Sequence, residues 1–237
     1  MLQVALNGGR TSEEHPRIPR TPDELAAAAR SSVEAGARVL HLHPYDLDGR
    51  QTVEAEPCAT AIRRVREECP GIPISLSTSA VIEADPDRRY ALIERWTELP
   101  DLVTANQGED GIVNLCELLI SKGIEIEAGI LSPADAEAFA DSGLAHRCVR
   151  AMVEPLDNDP DQAVRDAAEM ERTLAAAGIE LEQVHHGEGV ASWTVSVRGL
   201  ARGHGIRTGL EDTVYLPDGR LAHDNATLTR IAAAMIS

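Results

Sequence analysis

Two histidines sit two residues apart in Arg38-Val39-Leu40-His41-Leu42-His43-Pro44, at the end of a run that reads as a buried strand. Alternation along a strand sends both imidazoles to one face. Far downstream, Gly205-Ile206-Arg207-Thr208-Gly209-Leu210-Glu211-Asp212 reads as a second short strand with carboxylates at its C-terminal end. Two neutral imidazoles and one carboxylate, with a coordination position left open, make a catalytic site for zinc or a similar divalent ion. A His-x-His pair also occurs as a plain hydrogen-bonded strand end. The metal reading therefore depends on what else the chain brings to the same place.

The frame that would position these groups is an alternation repeated eight times. Strands are expected near 3–7, 38–43, 73–78, 102–106, 124–129, 147–153, 181–186 and 205–210. Helices are expected near 22–35, 55–69, 86–97, 110–122, 133–142, 160–178, 190–203 and 224–236. Thr21-Pro22-Asp23-Glu24 carries the signature of a capping box with proline at the first helical position. Eight β-then-α units predict one closed (β/α)8 TIM barrel over residues 1–237, with an open doubly wound sheet as the other arrangement of the same alternation.

In such a barrel the active site lies at the C-terminal strand ends. Those ends carry Asn7 to Arg10, His41 and His43, Ser77 and Thr78, Thr104 and Asn106, Glu127, Glu154, His185 and His186, and Arg207 with Glu211 and Asp212. The opposite rim holds the short turns Ala35-Gly36, Lys122-Gly123, Ala177-Gly178 and His204-Gly205, with glycine available for a helix stop. This polarity lifts the metal site above the bland strand-end reading. Of the neighbours His185 and His186 only one can face the interior, and the other is expected beneath a helix.

Composition excludes several classes. A net charge of −17 opposes binding to nucleic acid and to anionic membrane. No apolar run approaches the ~20 residues of a membrane span, and the N-terminus shows no leader pattern, so a cytoplasmic protein is expected. Cys58, Cys69, Cys116 and Cys148 lack C-x-x-C spacing and fit reduced packing thiols. Lys122 is the only lysine and falls at the rim away from the histidines, which removes Schiff-base chemistry. There is no G-x-S-x-G elbow and no Walker lysine.

Several stretches together resemble the β-keto acid cleavage enzyme family. They are Ala5-Leu6-Asn7-Gly8-Gly9-Arg10, His15-Pro16 with Thr21-Pro22-Asp23-Glu24, and His41-Leu42-His43. Further along come Gly209-Leu210-Glu211-Asp212 and Asp218-Gly219-Arg220-Leu221-Ala222 with Asn225. The likeness covers nearly the whole chain. It implies a zinc-dependent (β/α)8 barrel, commonly a homotetramer, that exchanges a β-keto acid with the co-substrate acetyl-CoA, giving acetoacetate and a new CoA thioester. By position it implies His41, His43 and Glu211 as metal ligands, and Arg207 with Asp212 as a proton-transfer pair acting at the α-carbon of acetyl-CoA. Glu127 is expected to take part in catalysis, and Ser77, Thr104 and Asn106 to contact substrate.

Two departures from the family pattern bear on substrate choice. Some members carry a glutamate near the position of Arg10, where it meets a substrate amino group; the cation here predicts an anionic or polar substrate end. After the sixth strand, where the family commonly has Gly-Val-x-Gly-Gly, this chain has Ala151-Met152-Val153-Glu154-Pro155-Leu156-Asp157. A metal-dependent hydrolase and a noncatalytic metal-binding barrel are the other readings of the same residues.

Overall fold

Eight parallel strands, each followed by a helix, make up the computed structural model, which describes residues 1–236. The first half runs β1 (Leu2–Ala5), α1 (Pro22–Glu34), β2 (Val39–Leu42), α2 (Ala55–Glu68), β3 (Ile74–Ser77), α3 (Pro86–Glu94), β4 (Leu102–Asn106) and α4 (Ile112–Ser121). The second runs β5 (Glu125–Ile130), α5 (Pro133–Asp141), β6 (Arg150–Val153), α6 (Pro160–Ala176), β7 (Glu182–His185), α7 (Ser192–Ala201), β8 (Gly205–Thr208) and α8 (Asn225–Ile236). Each strand pairs with the next, and β8 returns to β1 through Leu2↔Ile206 and Gln3↔Arg207. The sheet is therefore a closed barrel, as the alternation predicts.

The two faces of the strands carry different chemistry. Val4, Leu40, Leu42, Ile74, Leu76, Val103 and Ile126 are wholly buried and pack outward against the helices, where the apolar core lies. Their neighbours in sequence, Gln3, His41, Ser75, Thr104, Glu127 and Arg207, are also buried but turn inward. Barrel interiors are usually filled by branched aliphatic side chains. This one holds a hydrogen-bonded polar layer, which the active end of the barrel rests on.

The helices start where local chemistry starts them. Thr21 accepts from the Glu24 amide and Glu24 accepts from the Thr21 amide, completing the capping box with Pro22 at the first position. The side chains of Ser132, Asp159 and Asp224 each accept from an amide in the first turn of α5, α6 and α8. Each such cap contributes roughly 1 kcal/mol. The four cysteines are free and buried, and the Lys122 ammonium donates to the Trp96 carbonyl, remote from the histidines. No helix among the described residues is long and apolar enough to cross a membrane.

Departures from the expected boundaries cluster where the chain leaves the sheet. Gly205 opens β8, and the left-handed turn residue before it is Gly203. The last strand stops at Thr208, short of Glu211 and Asp212. At Gly209, with φ +153°, a Cβ would lie 1.9 Å from the Ala5 carbonyl oxygen, so only glycine lets the two backbones pass. Beyond it the chain folds into a turn, with the amides of Asp212 and Thr213 both donating to the Gly209 carbonyl. On a strand, adjacent Glu211 and Asp212 would face opposite sides. On this turn both reach the barrel mouth.

Candidate metal centre and active site

His41 and His43 lie at the C-terminal end of β2, both buried, with their Nε2 atoms 3.2 Å apart. Glu211 Oε1 stands 3.7 Å from His41 Nε2 and 3.5 Å from His43 Nε2. Ligands bound at the usual zinc distances in a tetrahedral array lie roughly 3.2–3.6 Å from one another. The three donors therefore suit one ion, and the second oxygen of Glu211 is buried with no hydrogen-bond partner among the described residues.

The surroundings fix each donor. Asn7, just past β1, accepts from the His43 amide and donates to the His43 carbonyl at 2.9 and 2.8 Å, which locks the strand end. His43 Nδ1 donates to the side-chain amide oxygen of Gln51, which can only accept, and His41 Nδ1 lies 3.2 Å from the Ser75 hydroxyl, so the Nε2 atoms of both rings face Glu211. Glu211 packs directly over Gly8, where a Cβ would come within 2.4 Å of its side chain. Burial pushes the His41 pKa down to about 3, so its imidazole is neutral near pH 7. Burial also opposes charge on His43, but the adjacent Glu211 carboxylate outweighs it and raises that pKa. Burial works against the charge of Glu211 too; His43 and Arg207 nonetheless hold it well below the usual carboxylate range.

Beside this triangle one guanidinium serves three carboxylates. Arg207 Nη2 reaches Asp212 Oδ1 at 2.6 Å, Glu211 Oε1 at 3.1 Å and Glu154 Oε1 at 3.4 Å, while its Nε donates to Asp212 Oδ2 at 3.3 Å. Burial pushes Asp212 up to about 6 despite Arg207, and the Glu211 charge adds to the rise. Glu154 goes up to about 8, again chiefly by burial. His186 lies between Glu154 and Asp212, at 3.4 and 3.6 Å, and burial holds it neutral. Glu154, His186 and Asp212 form a second cluster of metal-ligating types. Arg207 already supplies the cation there, and the two imidazole nitrogens of His186 face different carboxylates. His185 turns outward and stacks on His204, with ring centroids 4.6 Å apart, beneath α7.

A cleft of about 340 Å³ opens over the site, lined by Gly8, Arg10, His43, Glu154, Glu188 and Asp212 among others. Of the expected site residues, His43, Glu211, Asp212 and Arg10 line it, with His41 and Arg207 buried against Glu211. Four other expected site residues are not among those that line this cleft. Asn106 donates its amide to Glu109, which Arg89 also holds, so it is spent on tying two loops together. Ser77 accepts from the Ser79 amide. Thr104 and Glu127 belong to the buried layer under His41, with Glu127 wholly enclosed. Ser75 and Gln51, which back the two histidines, and the Glu154–His186 contact were not singled out from sequence. Ser75 shares a strand face with Ser77, but only the register His41↔Ser75 puts it behind a histidine.

Comparison with known proteins fits this geometry. The sequence matches the family described as beta-keto acid cleavage enzyme over residues 1–182 and 157–237. It is 26% identical to the 3-keto-5-aminohexanoate cleavage enzyme of Fusobacterium nucleatum, over 96% of this chain and 88% of that protein. It is 25% identical to the 3-oxoadipate:acetyl-CoA acetyltransferase of Cupriavidus necator, over 99% and 87%. Among solved structures, apo ObcA superposes with a TM-score of 0.73 at 18% identity, over 92% of this chain but only 61% of that one, a likeness of fold. Since the family match runs the length of the chain and the barrel carries the His-x-His strand expected of it, the chain belongs to the beta-keto acid cleavage enzyme family.

Proposed function

We propose that this protein is a zinc enzyme that exchanges a β-keto acid with acetyl-CoA. The acyl part of the keto acid passes to the CoA sulfur as the bond between its keto carbon and α-carbon breaks. The acetyl group joins the two-carbon carboxylate fragment left behind, giving acetoacetate. The observation that carries this reading is the Arg207–Asp212 pair set directly beside the His41, His43 and Glu211 donors, at a cleft lined by His43, Glu211 and Asp212. The names of the two relatives, one a keto acid cleavage enzyme and one an acetyl-CoA acetyltransferase, support the same chemistry.

The mixed nitrogen and oxygen donor set favours zinc among divalent ions. Once bound, the ion supplies Lewis acidity for the negative charge that develops on the keto oxygen. Asp212 is aimed by its two hydrogen bonds to Arg207. With a pKa of about 6 it is mostly ionised at neutral pH, a base able to take a proton from a carbon beside a carbonyl and to return it. We also propose a cytoplasmic setting, in which the four buried thiols stay reduced.

Zinc-loaded protein given a panel of β-keto acids with and without acetyl-CoA tests the function. A new CoA thioester formed only when acetyl-CoA is present is the expected result. Turnover without acetyl-CoA would instead identify a hydrolase, and no turnover across the panel a binding barrel.

Arg10 takes on a different role from the one its position suggests. Its Nε and Nη2 donate to the carbonyls of Glu211 and Asp212, at 2.9 and 3.3 Å, and its Nη1 pairs with Glu14 at 3.1 Å. These bonds brace the turn that presents the third ligand, so we propose bracing rather than recognition of a substrate anion. Arg10→Glu is then expected to lower kcat/KM equally for anionic, neutral and cationic keto acids. A loss confined to the anionic substrate would restore the recognition role.

A further inference from the structure

Glu127 is an unusual occupant of a barrel interior. It sits in the middle of β5 with no exposed surface, and its nearest cation, Arg150, is 3.7 Å away. Burying a carboxylate costs free energy unless its lone pairs are well satisfied. Here they are, since Oε1 accepts from the Gln3 amide at 2.8 Å and Oε2 from the Ser75 hydroxyl at 2.5 Å and from Thr104 at 3.3 Å. None of these bonds reaches the cleft. All converge beneath His41.

The Ser75 hydroxyl settles what this arrangement does. It has one proton, and the short contact to Glu127 takes it. What remains for His41 Nδ1, 3.2 Å away, is an oxygen lone pair. Nδ1 must therefore carry the proton, and Nε2 must carry the lone pair that faces His43 and Glu211. His43 is backed differently, by the neutral amide oxygen of Gln51. A carboxylate behind a metal-binding histidine fixes its tautomer and ring orientation. In this barrel a hydroxyl is inserted into that chain.

We propose that Glu127 is a positioning residue for the metal ligand His41 and acts through Ser75. Thr104, 3.4 Å from the same Nδ1, is a weaker second bridge. The inference rests on the metal site proposed above. It takes Glu127 out of the reaction itself and makes Ser75, rather than Ser77, the serine of β3 that matters to the metal.

The test is a double-mutant cycle read in metal affinity. Zinc dissociation constants, from chelator competition, are measured for wild type, Ser75→Ala, Glu127→Gln and the double variant, with folding checked by circular dichroism. Loss of such a partner costs ~10–100-fold in affinity. Each single variant is expected to lose affinity in that range, and the double variant to lose little more than the weaker single, because the two groups act in series. Cobalt-loaded Ser75→Ala is expected to show a changed visible spectrum, which a packing defect alone would not produce. Unchanged affinity, or losses that multiply in the double variant, would overturn the proposal. Should Glu127→Gln fail to fold, Ser75→Ala decides by its affinity and spectrum. A wild-type protein that binds no ion overturns the metal site and this inference together, whereas wild-type binding with unaltered variants overturns this inference alone.

Discussion

The His41→Ala, His43→Ala double variant is expected to fold, to retain no zinc after dialysis and to lose turnover by on the order of a thousandfold or more. The size follows from the charge stabilisation lost: a polarising ion contributes several kcal/mol, and each 1.4 kcal/mol is about tenfold in rate. Removing two of three donors leaves Glu211 alone, and its Oε1 is also claimed by Arg207 at 3.1 Å. The fold should survive, because both side chains point into the polar interior while Leu40 and Leu42 of the same strand hold the helix side. Elemental analysis and circular dichroism on one sample separate loss of metal from loss of fold. A double variant that keeps full zinc content would show that the ion binds elsewhere.

The barrel was legible because its signals are local. Each strand carries its own apolar run, and Thr21, Ser132 and Asp224 mark helix starts within a few residues of sequence. The candidate metal ligands were half legible. The two histidines declare themselves by strand alternation, whereas Glu211 came from likeness to a family and from strand-end position. The structure gives the physical reason for its placement, the glycine-driven exit at Gly209 that puts two consecutive carboxylates on one side. What stayed hidden depends on register and depth. That Glu127 lies a layer below the cleft follows from its pairing with Thr104 across β4 and β5, which no short-range pattern carries. Arg10 was placed correctly at the mouth, but its hydrogen-bond partners lie 201 and 202 residues away in the chain.

The loop after β6 adds charge to the site. Glu154, just past β6, reaches into the cleft and takes a share of Arg207. It adds a third carboxylate around one guanidinium. The crowding shows on Glu154 itself, which burial pushes up to about 8 against the pull of Arg207, with the charges of Asp212 and Glu211 adding to the rise.

Asp212→Asn should keep the ion and lose most of the chemistry. Its neighbour Glu211 is the proposed ligand, and the Arg207–Glu211 contact does not pass through Asp212. The amide oxygen of the variant still accepts one bond from Arg207, so the turn keeps its shape. An amide has no basic oxygen to take a proton from carbon, and general acid–base groups typically contribute ~10²–10⁴-fold. The pH profile supplies the sign. Wild-type kcat/KM is expected to fall as pH drops through about 6, since the protonated acid cannot act as the base, and the residual activity of the variant should lack that limb. Zinc content at the wild-type level, with turnover down at least a hundredfold, would establish Asp212 as the proton-transfer group. Wild-type turnover in the Asn variant, under conditions where chemistry limits the rate, would remove it from the mechanism and turn attention to Glu154, the other cleft carboxylate raised toward neutrality.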